Sequence, residues 1–205
     1  MFVQVIQGRT SDGDGLSAAV ERWVDELAPG AAGWIGSTTG VTDDGRAVLV
    51  AVFESEEAAR RNSTRSEQGG WWAETERLFD GPVSFQDSTD VVVDLRGDPD
   101  HAGFVQVMRG RTSDPERARQ LMTLDPEEWA AYRPDVIGSL EIGHDDGGYT
   151  VVLWFTSEEE ARQGERKEVP LELRTSMEEM AKLAVGDTEY LDLRRPLVRS
   201  PAPVV

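Results

Sequence analysis

The chain has 205 residues, no cysteine and a formal net charge of −18, with 39% apolar and 29% charged residues. The absence of cysteine excludes disulfides and thiolate metal sites, and the negative charge disfavours contact with nucleic acid and with anionic membranes. No apolar run approaches the ~20 residues of a membrane-spanning helix, and no basic segment precedes an apolar stretch at the N-terminus. The composition therefore predicts a cytoplasmic, soluble protein with no nucleic-acid partner and no membrane partner.

A half-size segment occurs twice in the chain. Residues 2–12 read FVQVIQGRTSD and residues 104–114 read FVQVMRGRTSD, so nine of eleven positions match at an offset of 102. A unit of about 100 residues can fold alone, and solenoid repeats are shorter, so the duplication predicts two paired domains. The predicted organisation is repeat 1 at 1–97, a polar linker at 98–103, repeat 2 at 104–195 and a C-terminal tail at 196–205, expected to be a loose arm.

Repeat 1 alternates between strand and helix patterns. Apolar residues of the first helix recur at helical spacing from Leu16 to Leu27, and Asp44-Gly45 is a typical hairpin turn. We expect Gly69-Gly70 to interrupt the second helical region. In chain order the predicted elements are a strand at Phe2–Gln7, a helix at Leu16–Leu27, strands at Trp34–Val41 and Ala47–Phe53, a helical region from Ser55 to Phe79, and a strand at Val83–Leu95.

Repeat 2 has the same order of elements with one local change. Its first helix is expected to begin with Asp114 as the cap and Pro115 at the first helical position. Pro126 falls inside that helical pattern, so we expect the helix to kink or split there.

The order β-α-β-β-α-β predicts a four-stranded antiparallel sheet with both helices on one face. The third strand is apolar on both sides, because Val48, Val50 and Val52 alternate with Leu49, Ala51 and Phe53. The second face therefore also needs cover, which the second repeat can supply.

This duplicated order resembles the dimeric α/β-barrel superfamily, and within it the antibiotic-biosynthesis-monooxygenase-like group. The resemblance covers nearly all of residues 2–195. It implies an α+β fold in which two tandem βαββαβ ferredoxin-like repeats form an intramolecular dimeric α/β barrel. Because the usual homodimer would be fused into one chain, a monomer is expected.

The resemblance also implies a candidate site in the second helical region of repeat 1. Small oxygenases of the superfamily oxidise aromatic polyketides without metal or flavin, and they are known for an asparagine and a tryptophan near this place. By analogy Asn62 would hydrogen-bond a substrate oxygen, Trp71 or Trp72 would stack on the substrate, and Arg65 would offset negative charge. The alternative is that both tryptophans are core residues and Asn62 ends a helix. At the offset of 102, Asn62 corresponds to Gly164, so a site would be single.

Two polar residues of the first strand are further candidates for substrate binding. Gln4 lies in the middle of an apolar strand and could either reach a ligand or bond a neighbouring side chain. Arg9 follows the strand and could hold an acidic group, although a salt bridge to Asp12 is the expected alternative. The repeat has the same residues at Gln106 and Arg111.

The sequence predicts no cofactor and no metal. Haem iron normally needs a protein ligand such as histidine, and His101 and His144 lie in the linker and beside a turn. No Gly-rich phosphate loop follows a strand at the required spacing. The function expected is a small-molecule-binding or structural module with a small hydrophobic or aromatic ligand. The alternative is a cofactor-independent monooxygenase-like enzyme acting on an aromatic or polyketide-like molecule.

Overall fold

The structure is a computed structural model that describes residues 1–122 and 126–201. The strands are β1 (Phe2–Arg9), β2 (Trp34–Val41), β3 (Arg46–Phe53), β4 (Ser84–Ser88), β5 (Val91–Leu95), β6 (Phe104–Arg111), β7 (Val136–Gly143), β8 (Gly148–Phe155), β9 (Glu189–Leu193) and β10 (Leu197–Arg199). The helices are α1 (Gly13–Glu26), α2 (Glu56–Ser63), α3 (Ser66–Thr75), α4 (Pro115–Met122), α5 (Pro126–Tyr132), α6 (Glu158–Glu165) and α7 (Leu171–Leu183). Short 3-10 turns lie at Ala28–Gly30, Glu76–Leu78 and Pro99–His101.

The strands form two five-stranded sheets. Sheet 1 has the order β10-β2-β3-β1-β4 and sheet 2 the order β5-β7-β8-β6-β9. In each sheet the first and third strands of one repeat lie at the centre, which is the ferredoxin-like order. The predicted α+β class and the two tandem ferredoxin-like repeats are therefore confirmed.

The chain contains two compact units. Unit 1 comprises Met1–Val91 and the chain from Asp192 onward, and unit 2 comprises Val92–Leu191. The boundaries derived from the sequence follow the duplication instead, and they remain a prediction about the organisation of the repeats.

The single strand predicted over 83–95 is wrong. The chain forms β4 in sheet 1 and then β5 in sheet 2, with a turn between them. At this turn the Ser88 hydroxyl oxygen accepts a hydrogen bond of 3.0 Å from the Asp90 backbone N–H. Such local side-chain bonds compete with strand pairing and end the first strand.

The end of the chain also differs from its prediction. Leu197–Arg199 pairs with β2 in antiparallel register, with Leu197 opposite Thr39. Leu197 and Val198 are 7% and 5% exposed. A loose arm is therefore wrong for these residues, because their apolar side chains are buried, and residues 202–205 lie outside the described residues.

The helices of unit 1 cover one face of sheet 1. α1 begins at its Asp12 cap, whose carboxylate accepts a hydrogen bond of 2.9 Å from the Gly15 backbone N–H. Its buried residues Leu16 and Val20 pack in one cluster with Ile6 of β1 and Leu49 of β3. The helical face predicted for α1 is therefore confirmed.

The second helical region is interrupted at a different place from the one predicted. Gly69 and Gly70 lie inside α3, and a Cβ added to either would meet no atom within 4 Å. The break falls at Arg65, whose backbone is extended with φ −70° and ψ 136°. At this break the Ser63 and Thr64 hydroxyls each donate a hydrogen bond of 2.9 Å, to the Arg60 and Arg61 backbone carbonyls, and such local bonds compete with continuation of the helix.

In unit 2 the predicted helix split is present. The Asp114 carboxylate caps α4 by accepting a hydrogen bond of 2.9 Å from the Arg117 backbone N–H, and Pro115 is the first helical residue. A second helix, α5, begins at Pro126. None of the helices within the described residues is long and apolar enough to span a bilayer.

The burial of β10 leads to a stability prediction. Leu197→Ala removes a buried side chain from unit 1, so we expect a loss of about 2–3 kcal/mol in the free energy of unfolding, measured by denaturant titration. Leu95→Ala is the matched control, because Leu95 ends an edge strand and is 56% exposed. Equal effects of the two substitutions would contradict the pairing of β10 with β2.

Candidate functional site

The helix-facing side of sheet 1 carries three parallel rows of side chains. Strand register places Trp34, Phe53 and Phe2 in one row, Ser37, Ala51 and Gln4 in the next, and Thr39, Leu49 and Ile6 in the third. The outer two rows are buried, whereas the three residues of the middle row are each half-buried. We call Ser37, Ala51 and Gln4 the central row. The central row is therefore more accessible than the two rows beside it.

Aromatic rings line the space above the central row. Trp23 of α1 meets Trp34 edge to face, with ring centroids 5.2 Å apart, and its centroid lies 6.3 Å from that of Trp71. Ala51 packs against the cluster that contains Trp23 and Trp34. The Trp71 indole N–H donates a hydrogen bond of 2.8 Å to the Ala19 backbone carbonyl, which fixes the ring against α1. Trp72 lies farther along, with its centroid 5.2 Å from that of Phe85.

Gln68 joins three helices through one oxygen atom. Its side-chain carbonyl accepts hydrogen bonds from the Trp23 indole N–H at 2.6 Å and from the Asn62 amide at 3.2 Å. Trp23 belongs to α1, Asn62 to α2 and Gln68 to α3. A buried amide must find partners, and Asn62, which is 7% exposed, finds one here.

Arg65 completes this network from the other side of Asn62. Its guanidinium donates hydrogen bonds of 3.0 Å to the Asn62 side-chain carbonyl and of 3.0 Å to the Leu27 backbone carbonyl near the end of α1. It also pairs with Glu67 at 3.0 Å. Both amide atoms of Asn62 are therefore bonded within the protein, and Arg65 binds a helix end. We call Trp23, Gln68, Asn62 and Arg65 the amide network.

Two buried polar atoms on β2 have no hydrogen-bond partner among the described residues. They are the Trp34 indole N–H and the Ser37 hydroxyl. Trp34 is 7% exposed, and the two side chains occupy adjacent rows of the helix-facing side. A buried donor without a partner is costly, so a ligand oxygen that accepted from either would gain a strong interaction.

The first-strand candidates bond within the protein. The Gln4 amide donates a hydrogen bond of 2.9 Å to the Asp87 carboxylate on β4, so the neighbouring side chain predicted as the alternative is present. Arg9 donates a hydrogen bond of 2.5 Å to the Asp44 backbone carbonyl in the hairpin turn. The partner expected for Arg9 was Asp12, and that expectation is wrong because the turn of β2 and β3 lies beside the end of β1. Arg111 has the same arrangement with Asp146.

Unit 2 fills the place of Asn62 with a salt bridge. A Cβ on Gly164 would lie 2.5 Å from an Asp135 carboxylate oxygen and 2.6 Å from the Arg133 Nε. Arg133 and Asp135 pair at 2.7 Å, and Asp135 is 9% exposed. An asparagine therefore does not fit at this position of unit 2. Within the described residues, the amide network belongs to unit 1 alone.

Unit 2 instead places a carboxyl group on the helix-facing side of its sheet. Glu141 stands opposite Val151, at the position that corresponds to the buried Thr39 in unit 1. Burial raises the pKa of Glu141 to about 7, and the charge of Asp94 adds to this effect more than Arg119 opposes it. At neutral pH this carboxyl group can therefore either give up or accept a proton.

The structure brings four of the six residues predicted from the sequence into two neighbouring contacts. Asn62 bonds Arg65, and the ring of Trp71 contacts those of Trp23 and Trp72. Gln4 and Arg9 bond elsewhere, to Asp87 and to the Asp44 carbonyl. Sequence reasoning missed Gln68, Trp34, Ser37 and Glu141. Gln68 lies six residues after Asn62, and no spacing rule connects two amides across a helix break.

Unit 2 also contains an open hollow of about 370 Å³, which is lined by Val169, Arg174, Met177, Glu178 and Ala181. Among residues 1–122 and 126–201, no group of three or more histidine or acidic side chains is arranged to hold a metal ion.

Solved structures with this fold cover almost the whole chain. A candidate monooxygenase from Fusobacterium nucleatum superposes with a TM-score of 0.75 at 10% identity, over 97% of this chain and 94% of that one. A candidate monooxygenase from Lactobacillus acidophilus has a TM-score of 0.70 at 13% identity, over 97% and 99% of the two chains. An anthrone oxidase-like protein has a TM-score of 0.65 at 11% identity, over 100% and 97%.

No protein-family model and no curated protein matches the sequence. At such low identities the likeness to solved structures is one of fold. The ferredoxin-like, monooxygenase-like fold predicted from the sequence is thereby confirmed, together with its tandem arrangement.

The raised pKa of Glu141 leads to a prediction about stability and pH. The pKa is about 7 in the folded protein and 4.5 for an ordinary glutamate, so the protonated group stabilises the fold fully below pH 4.5. That contribution is lost as the pH rises through 7. We therefore compare the free energies of unfolding of Glu141→Gln and wild type, measured by denaturant titration at each pH. The variant should be more stable relative to wild type at pH ~8.5 than at pH ~4.5, by on the order of 1–3 kcal/mol.

The control is Glu172→Gln, which removes an exposed carboxylate of α7 and changes the net charge equally. Its difference from wild type should not depend on pH. If the free energies of unfolding of Glu141→Gln and wild type differ by the same amount at both pH values, the raised pKa of Glu141 is contradicted.

Proposed function

We propose that unit 1 is a small-molecule-binding module that takes an aromatic or hydrophobic ligand between sheet 1 and its helices. The observation that carries this proposal is the central row. Ser37, Ala51 and Gln4 are half-buried between two buried rows, beside Trp34, and Ala51 packs against the cluster that Trp23 and Trp34 form and Trp71 contacts. An aromatic ligand of small thickness would complete this layer by stacking and by burial of apolar surface.

Two polar atoms support a ligand that carries an oxygen acceptor. The Trp34 indole N–H and the Ser37 hydroxyl are buried without a partner, next to the small side chain of Ala51. A phenolic or carbonyl oxygen of the ligand would accept from them, so polycyclic phenols and hydroxyquinones suit the site. In this proposal Gln4 lies at the mouth of the site with its partner Asp87, and Arg9 remains outside.

A second candidate function is a cofactor-independent monooxygenase. The specific observation in its favour is the position of Asn62 in the same helix layer as Trp71, together with the fold shared with candidate monooxygenases. The substrate would be the only reductant: a CH2 group would become a carbonyl group, with one atom of O2 entering it and the other leaving as water. Asn62 would have to exchange Gln68 or Arg65 for the substrate oxygen, so the binding module is the better-supported function.

The same proposal includes the setting in which the module acts. A fused pair of repeats has no need of a second chain to complete the fold, so we propose that the protein works as a monomer. The charge of −18 suits a cytoplasmic protein that does not bind nucleic acid.

The test enlarges one side chain of the central row and leaves every tryptophan unchanged. Position 51 of unit 1 corresponds to Leu153 of unit 2, so Ala51→Leu introduces a residue that the same strand carries in the other repeat. We expect 1,8-dihydroxyanthraquinone to quench the tryptophan fluorescence of the wild type saturably. Ala51→Leu should weaken the binding at least about tenfold, which corresponds to about 1.4 kcal/mol.

The matched control is Leu153→Ala, which makes the reverse change in unit 2 and should leave the quenching unchanged. Denaturant titration of Ala51→Leu separates blocked binding from lost folding. Equal quenching of wild type and Ala51→Leu would rule out the central row as the site. Consumption of O2 with the corresponding anthrone, 1,8-dihydroxy-9-anthrone, whose CH2 group can be oxidised to the quinone carbonyl, and loss of this consumption in Asn62→Ala would favour the monooxygenase over the simple binding module.

A further inference from the structure

Glu141 in unit 2 lies where an apolar or neutral side chain would be expected. It occupies the middle of β7, and its neighbours Leu140 and Ile142 are each 1% exposed on the opposite face. Its partner in register is Val151 on β8. The same face of β8 carries Leu153, which packs against a cluster that includes Ala161 of α6. Glu141 therefore points to the helix-covered side of sheet 2.

Within the described ranges 1–122 and 126–201, Glu141 makes no hydrogen bond and no ion pair. The charged groups that act on it are Asp94 of β5 and Arg119 of α4, and the repulsion by Asp94 is the larger effect. Asp94 is paired with Arg96 at 2.8 Å, so it is held in place as an anion.

The surrounding side chains are apolar and incompletely covered. Met108 of β6 and Leu153 of β8 are half-buried on the same face, and Val151 is 8% exposed. The corresponding row in unit 1 is closed, because Ile6, Leu49 and Leu197 form one buried cluster around Thr39. Among the described residues this face of unit 2 is thus less completely covered than its counterpart in unit 1, and it carries a carboxyl group where unit 1 has Thr39.

We propose that this face of unit 2 is a second ligand site, which binds a small organic ammonium ion with an apolar body. Glu141 accepts a hydrogen bond from the ammonium group and supplies the opposite charge. Met108, Val151 and Leu153 contact the apolar body. Ser139, two residues before Glu141 on the same face of β7, offers a hydroxyl oxygen as a second acceptor.

A cation suits this site better than an anion or a neutral molecule. An unpaired half-buried carboxylate is costly, and a bound cation offsets that cost by a charge-assisted hydrogen bond. The charge of Asp94 also favours a cation, and the net charge of −18 draws cations to the protein. Because a bound cation favours the ionised form of Glu141, binding near neutral pH must release a proton.

The experiment is calorimetric titration of the whole protein with 2-phenylethylammonium and with 2-phenylethanol, its neutral isostere. We expect the ammonium ion to bind saturably at pH ~8.5 and at least about tenfold more weakly at pH ~5, where Glu141 is protonated. The alcohol should bind at least about tenfold more weakly than the ammonium ion at pH ~8.5, and this preference should be lost at pH ~5.

Glu141→Gln should lose the preference for the ammonium ion at pH ~8.5, whereas the charge-matched control Glu172→Gln should keep it. Three results at pH ~8.5 would overturn the proposal: equal affinity of Glu141→Gln and wild type for the ammonium ion, equal affinity of the wild type for the ammonium ion and the alcohol, or no binding up to about 10 mM. Ala51→Leu should bind the ammonium ion like wild type, so the outcome is independent of the site in unit 1.

Discussion

The helix layer of unit 1 depends on the side-chain oxygen of Gln68. This atom accepts hydrogen bonds from Trp23 of α1 and from Asn62 of α2, while Gln68 itself belongs to α3. Arg65 extends the connection from Asn62 to the Leu27 carbonyl near the end of α1. Because these groups are buried or half-buried, each bond lost would leave a polar group without a partner. The network thus holds Trp23 and Trp71 above the central row and gives the candidate site its aromatic wall.

The two repeats keep one scaffold and differ in what lies between sheet and helices. Both have a first strand that ends in an arginine bonded to a hairpin turn, through Arg9 and Arg111. In unit 1 the interior is built from tryptophans and amides. In unit 2 a glycine replaces Asn62, the Arg133–Asp135 pair takes the space, and Glu141 stands on the sheet. Duplication therefore supplied two copies of a fold whose interiors suit different ligands, an aromatic oxygen compound and an organic cation in our proposals.

Much of the fold could be predicted because local signals agreed with it. The segment repeated at 2–12 and 104–114 predicted two similar sheets. Asp12 caps α1 as expected, and a separate helix begins at Pro126. The helix break was predicted at the two glycines and lies instead at Arg65, after Ser63 and Thr64, whose hydroxyls bond the last carbonyls of α2. The assignment of 83–95 to two sheets depends on tertiary pairing, since the period of a strand is the same in either sheet.

The candidate site was predictable only in part, for the same reason. Asn62 and Trp71 stood out because the second repeat lacks them. Ser37 and Trp34 became notable only when packing left their polar atoms without partners. Glu141 alternates with Leu140 and Ile142, a pattern that ordinarily indicates a solvent-facing residue on a half-buried strand, and the helices of unit 2 overturn that reading.

The most direct test of this account is a double-mutant cycle between Trp23 and Gln68, made with Trp23→Phe and Gln68→Met and measured by denaturant titration. If Gln68 holds the helix layer through the bond of 2.6 Å, the two substitutions will be coupled by about 1 kcal/mol or more. Effects that add to within about 0.3 kcal/mol would show that the helices of unit 1 are held without this bond, contrary to the account.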